Sequence, residues 1–160
     1  MKKFFYIASL MVVLTNAQAY NVGDVVDDET LSSLKIKDSK IAVVDFFASW
    51  CISCKKELPL INKIAPQLKS ESVDIVGVCT DEDKEEGVAF QKELGLTIPV
   101  FNDTKQQMVE KFNPEGMPAI YYIKDKKVVK ILFGAVDDID AVVKNDIKGL
   151  KWLKRFSFHF

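Results

Sequence analysis

The eight residues from Ile41 to Ala48 are apolar except for one carboxylate, Asp45, and three positions further on the chain reaches Cys51, then Cys54. A short unbroken apolar run suits a strand buried on both faces, which requires covering layers above and below it. From Cys54 onward the period changes, with Leu58, Ile61, Ile64, Ala65 and Leu68 recurring at helical spacing. The two cysteines therefore sit where a buried strand hands over to a helix. Pro59 is expected to bend that helix, because proline has no N–H and crowds the preceding turn.

The pattern continues downstream. Val73 to Cys79 reads as a second buried strand, and Asp81, Glu82 and Asp83 start a helix that runs to about Leu94 and ends at Gly95. Ile98 to Phe101 reads as a short strand and Gln106 to Phe112 as a short helix. Ala119–Ile123 and Val128–Phe133 flank the polar stretch Lys124-Asp125-Lys126-Lys127, a hairpin signal. Asp137 to Leu153 closes the pattern as an amphipathic helix with Ile139, Val142, Val143, Ile147 and Leu150 on one face. Asn21 to Lys40 is polar and irregular, with a short edge strand expected around Leu34 to Lys37. Strand–helix alternation followed by a hairpin and a helix predicts an α/β fold of three layers, a mixed central sheet with helices on both faces.

The N-terminus reads separately. Lys2 and Lys3 precede an apolar stretch from Phe4 to Leu14, and Ala17-Gln18-Ala19 offers the small-x-small pattern of a cleavage site. The apolar stretch is about half of the roughly 20 residues that span a bilayer as a helix. Residues 1–19 are thus expected to be a cleaved signal peptide and residues 20–160 a single domain, with a retained membrane anchor as the alternative. Export would make the domain periplasmic or otherwise extracytoplasmic, where thiols meet oxidising conditions. With 22 basic and 23 acidic side chains, the net charge of −1 gives no reason to expect nucleic acid as a partner. A monomer is expected.

Three cysteines, Cys51, Cys54 and Cys79, are too few for a disulfide-stapled scaffold. Structural zinc needs four ligands, and the only other soft candidate is His159, so no metal is expected. Placement instead gives Cys51 and Cys54 a redox character. A thiol at a helix start faces unsatisfied backbone N–H groups and the positive end of the helix dipole, which favour thiolate. Lys55 and Lys56 add positive charge nearby, weakened by solvent. Two intervening residues bring the second sulfur within disulfide reach of the first. Cys79 reads as a buried small hydrophobe, and Glu57 and Glu115 as solvated or helix-end charges.

The segment Val44-Asp45-Phe46-Phe47-Ala48-Ser49-Trp50-Cys51-Ile52-Ser53-Cys54-Lys55-Lys56-Glu57-Leu58-Pro59 resembles the active-site segment of the thioredoxin superfamily, and within it the exported TlpA/ResA-like branch. Gly116-Met117-Pro118-Ala119 is similar to that family's cis-proline loop, and the resemblance extends from roughly Gly23 to Leu150. It implies a thioredoxin-like fold in which Cys51 attacks and Cys54 resolves, with the pair forming a redox-active disulfide. It further implies that Asp45, six residues before Cys51, moves the Cys54 proton, and that Trp50, Met117 and a cis Pro118 receive the client. One departure is plain: thioredoxins place a lysine near this acid on the adjacent strand, where this chain reads Ile75-Val76-Gly77-Val78-Cys79.

The resemblance implies an exported protein-disulfide reductase that acts on extracytoplasmic clients, those of cytochrome c maturation among them, and needs no metal or organic cofactor. An integral-membrane thiol donor would supply its electrons. A disulfide-forming oxidant would use the same residues in reverse. A peroxiredoxin-type peroxidase shares the fold, but Thr80 directly after Cys79 does not make the Thr-x-x-Cys setting those enzymes use. A copper or assembly chaperone would favour a wider cysteine spacing and a ligating histidine. The aromatic C-terminal residues 156–160 read as a loose or docking tail.

Overall fold

A computed structural model describes residues 19–36 and 40–152. Residues 1–18 of the expected signal peptide, Lys37 of the expected edge strand, Leu153 of the expected last helix, and the aromatic C-terminal residues with His159 lie outside the described residues. The elements are α1 (Asp28–Ser33), β1 (Ile41–Phe47), α2 (Ile52–Ser70), β2 (Val73–Cys79), α3 (Lys84–Glu93), β3 (Val100–Asn102), α4 (Gln107–Phe112), β4 (Ala119–Lys124), β5 (Lys127–Phe133) and α5 (Ile139–Trp152).

The five strands form one mixed sheet in the order β3-β2-β1-β4-β5. β1 pairs in parallel with β2 and antiparallel with β4, so the strand leading to the cysteines is the sheet's centre. Alternation along β1 divides the core. Ala42, Val44 and Phe46 face Leu31, Leu34, Met108 and Phe112, the side of α1 and α4. Ile41 and Val43 face Ile61, Ile64, Leu68, Ile139, Val143 and Ile147, the side of α2 and α5. Phe90 of α3 packs on Phe47, extending that second layer beside the cysteines. This is the three-layer arrangement expected from the sequence. Among the described residues no helix is long and apolar enough to cross a membrane.

One local expectation changes. The stretch around Leu34 is not an edge strand: α1 occupies residues 28–33, and Leu34 is its C-cap. Asp27 starts this helix by accepting the Thr30 N–H at 2.7 Å, and Asp28 and Glu29 favour the positive end of the helix dipole. Pro59 lies with Pro66 inside one continuous 19-residue α2, packed on the sheet by Leu58, Ile61, Ile64 and Leu68. Helix α3 ends as expected, with Gly95 at φ +61° just past its C-cap Leu94.

Candidate redox site

Cys51 is the N-cap of α2, and its backbone N–H donates to the Ala48 carbonyl at 3.1 Å, closing the turn between β1 and the helix. Its sulfur accepts the Cys54 backbone N–H at 3.2 Å. A hydrogen bond of that kind favours the charged sulfur whenever the disulfide is open. Cys51 and Cys54 are joined in a disulfide, with Sγ–Sγ 2.00 Å and Cα–Cα 5.3 Å. Cys51 keeps 6 % of its surface exposed and Cys54 none, so the two sulfurs are unequal in access. Lys55 pairs with Glu93 of α3.

Around the pair, Trp50 and Ile52 are exposed large apolar side chains. The Met117–Pro118 bond is cis, as the resemblance implies. Met117 packs against the cluster that holds both cysteines, and its sulfur lies 3.4 Å from Thr80 Oγ1. Trp50, Met117, Thr80, Glu82, Asp83 and Glu86 are among the residues that line a cavity of about 500 Å³. Of the sequence-expected residues, Met117 packs beside the pair, Trp50 precedes Cys51 in the chain, and Pro118 follows Met117 through the cis bond.

Asp45 is buried on the sheet face covered by α2, and its Oδ1 has no hydrogen-bond partner. Burial first, and the negative charge of Glu57 second, push its carboxyl up to about 8. Its neighbour on β2 is Gly77, so no cation stands at the register position where the superfamily's lysine would be.

Glu57 departs from its reading as a solvated charge. It is buried, and its Oε1 accepts the Val136 backbone N–H at 2.6 Å. Burial raises its carboxyl, the Val136 bond opposes the rise, and Asp137 adds to it. A cavity of about 210 Å³ between α2 and the loop after β5 is lined by Ser53, Lys56, Glu57 and Val136. Asp81 was also missed: read as a helix-start charge, it is buried after β2, and the cap of α3 is Asp83, which accepts the Glu85 N–H at 2.7 Å. Cys79 is buried as expected. Burial and a hydrogen bond to Asp81 push its thiol up to about 12, which leaves it a poor nucleophile for any peroxidase chemistry.

The AhpC/TSA family profile matches residues 15–131, which takes in the whole junction, both cysteines and the cis-proline loop. The chain belongs to the AhpC/TSA family. Among its curated relatives, the thiol-disulfide oxidoreductase ResA of Geobacillus thermodenitrificans is 27% identical over 86% of this chain and 82% of its own length. ResA of Bacillus subtilis is 33% identical over 68% of this chain and 59% of its own length. A solved thiol:disulfide interchange protein of the thioredoxin family from Chlorobium tepidum superimposes with a TM-score of 0.59 at 27% identity, covering 72% of this chain and 83% of its own. The fold of this AhpC/TSA member is accordingly thioredoxin-like, and its Cys51–Cys54 pair stands in a thiol–disulfide oxidoreductase setting.

Proposed function

We propose that the chain is an exported protein-disulfide reductase of the ResA kind. Cys51 thiolate attacks a client disulfide, breaking its S–S bond, releasing one client thiolate and joining Cys51 to the other client sulfur. Asp45 takes the Cys54 proton, and the Cys54 thiolate attacks Cys51 sulfur. The second client thiolate leaves, and the Cys51–Cys54 disulfide forms. Trp50, Met117 and Pro118 hold the client beside the pair, with the backbone near Met117 offered to an extended segment. The observation that carries this reading is Asp45, a buried carboxyl of raised pKa with an unpartnered oxygen, on the α2 side of the strand that leads to the cysteines.

Turnover then needs an outside source of electrons, which an integral-membrane thiol donor supplies, and extracytoplasmic clients such as those of cytochrome c maturation follow from the resemblance to the exported TlpA/ResA-like branch. Export rests on the charged, apolar and small-residue pattern of residues 1–19. The deciding measurement is the reduction potential of the pair in glutathione or dithiothreitol buffers. A value close to that of thioredoxin, about −270 mV, is expected of a reductant. A value near about −120 mV would turn the same residues into a disulfide-forming oxidant and sink the proposal.

A further inference from the structure

Asp81 is buried to 5 % exposure immediately after β2, and it accepts from two separate parts of the chain. Its Oδ2 takes the Ser49 backbone N–H at 2.9 Å and the Cys79 thiol at 3.1 Å, and its Oδ1 takes the Ser49 hydroxyl at 2.6 Å. Ser49 stands two residues before Cys51, so the turn that carries the attacking sulfur hangs from this carboxylate. Gly87 of α3 makes room for the arrangement: a Cβ there would lie 2.7 Å from Cys79 Sγ and 3.3 Å from Asp81 Oδ2. Cys79 lies in the same buried cluster as Cys51 and Cys54.

A third thiol in that cluster endangers a dithiol enzyme. A Cys79 thiolate that attacked the Cys51–Cys54 disulfide would break that S–S bond, form a new one to either sulfur and release the other as thiolate, with no net oxidation. We infer that Asp81 is a positioning residue for the exchange reaction: one carboxylate suspends the turn bearing Cys51 and holds the Cys79 thiol as a donor, keeping the third thiol out of exchange. The inference rests on the disulfide-exchange reading above. A thiol that donates into a carboxylate must give up that bond before it can attack, and burial acts in the same direction on Cys79.

The test compares the full reduced chain with Asp81→Asn at one near-neutral pH. In the wild type, iodoacetamide labels Cys51 while Cys79 stays unlabelled, because alkylation follows the thiolate. The asparagine side chain still offers Ser49 an acceptor but cannot serve Ser49 and the thiol as the carboxylate does. Labelling of Cys79 is therefore expected to accelerate about tenfold or more. After equilibration in glutathione buffer, peptide mapping should find Cys79 joined to Cys51 or Cys54, and adding Cys79→Ala should abolish those species and recover the peptide-disulfide turnover they divert. A merely structural Asp81 would lower the melting temperature without either effect. A folded Asp81→Asn with Cys79 silent and Cys51–Cys54 the only disulfide overturns the inference.

If Asp81→Asn fails to fold, Ser49→Ala tests the suspended turn alone. Turnover should fall about tenfold from misplacement of Cys51 while Cys79 stays silent, and unchanged turnover overturns that role. The labelling and mapping do not depend on a client. A wild type that turns over no disulfide peptide, but whose Cys79 is unmasked by Asp81→Asn, counts against the proposed function and for this inference.

Discussion

Two buried carboxylates attend the junction between β1 and α2, and they are satisfied in opposite ways. Asp81 accepts from Ser49 N–H, Ser49 hydroxyl and Cys79 thiol, whereas Asp45 keeps an oxygen with no partner. Buried polar groups are nearly always paired, because leaving one unpaired in an apolar surrounding is costly. A carboxylate with its acceptors filled is fixed in place and suited to holding a loop. One left unpaired favours its protonated form, gives the proton up only near neutral pH and suits proton transfer. Under the proposed mechanism, the difference between them separates holding the attacking sulfur from activating the resolving one.

That division breaks at its root if the two sulfurs play equal parts, so the largest expected effect is on the pair itself. Cys51→Ser should abolish disulfide reduction, and Cys54→Ser should accumulate mixed disulfides between Cys51 and its clients, visible on non-reducing gels. The basis is access, since Cys51 is the outer sulfur at the helix start and Cys54 is wholly buried. Trapping by Cys51→Ser, with Cys54→Ser inactive and free of adducts, would exchange the two assignments and remove the role proposed for Asp45.

Asp45→Asn sharpens the comparison next, because it keeps the shape and removes the ionisable group. Attack by Cys51 should change little, while resolution by Cys54 slows by about 10²–10⁴-fold near pH 8, where the wild-type carboxyl is ionised enough to accept the proton. Stopped-flow turnover of a disulfide peptide across pH measures this, and equal rates at every pH would reduce Asp45 to a structural residue. Stability supplies a second readout with a definite sign. The unfolded carboxyl ionises near 3.9, the folded one at about 8. Between those values the native state holds a proton that the unfolded chain has lost, so stability falls as pH rises, by at most about 1.4 kcal/mol per pH unit. Urea melts of the oxidised protein should show the advantage of Asp45→Asn growing from about pH 4 to about pH 8 and levelling above it.

The two carboxylates were not equally legible in the sequence. Asp45 announces itself as the lone charge in an apolar run, a signal carried wholly by its neighbours. Asp81 sits in Asp81-Glu82-Asp83, where nothing local tells the buried residue from the helix cap two places on. Its role depends on Ser49, which is 32 residues away in the chain. Glu57 was hidden in the same way: the amide that buries it, Val136, comes from a loop 79 residues downstream. The central strand, the cysteine junction and the hairpin were readable because their signals are short-range and repeated over several residues. Helix α1 was not, since its 6 residues are too few to display a period and only the Asp27 cap marks its start.

The smallest effect falls on the tuning of Asp45 by Glu57, and it asks whether the contrast with Asp81 is intrinsic or partly imposed by a neighbour. Glu57→Gln keeps a carbonyl oxygen for the Val136 N–H and removes the charge. Burial alone would then hold Asp45 up, since Glu57 is the second cause of its rise after desolvation. The carboxyl should therefore lose its proton at lower pH, and the acid limb of peptide-disulfide turnover should move down by less than about one pH unit, the scale on which one partly solvated charge acts. At alkaline pH, where Asp45 is ionised in both proteins, the two rates should converge. An acid limb that stays in place while the whole curve drops would mean that Glu57 supports the α2 loop contact through Val136 and leaves the protonation of Asp45 to burial alone.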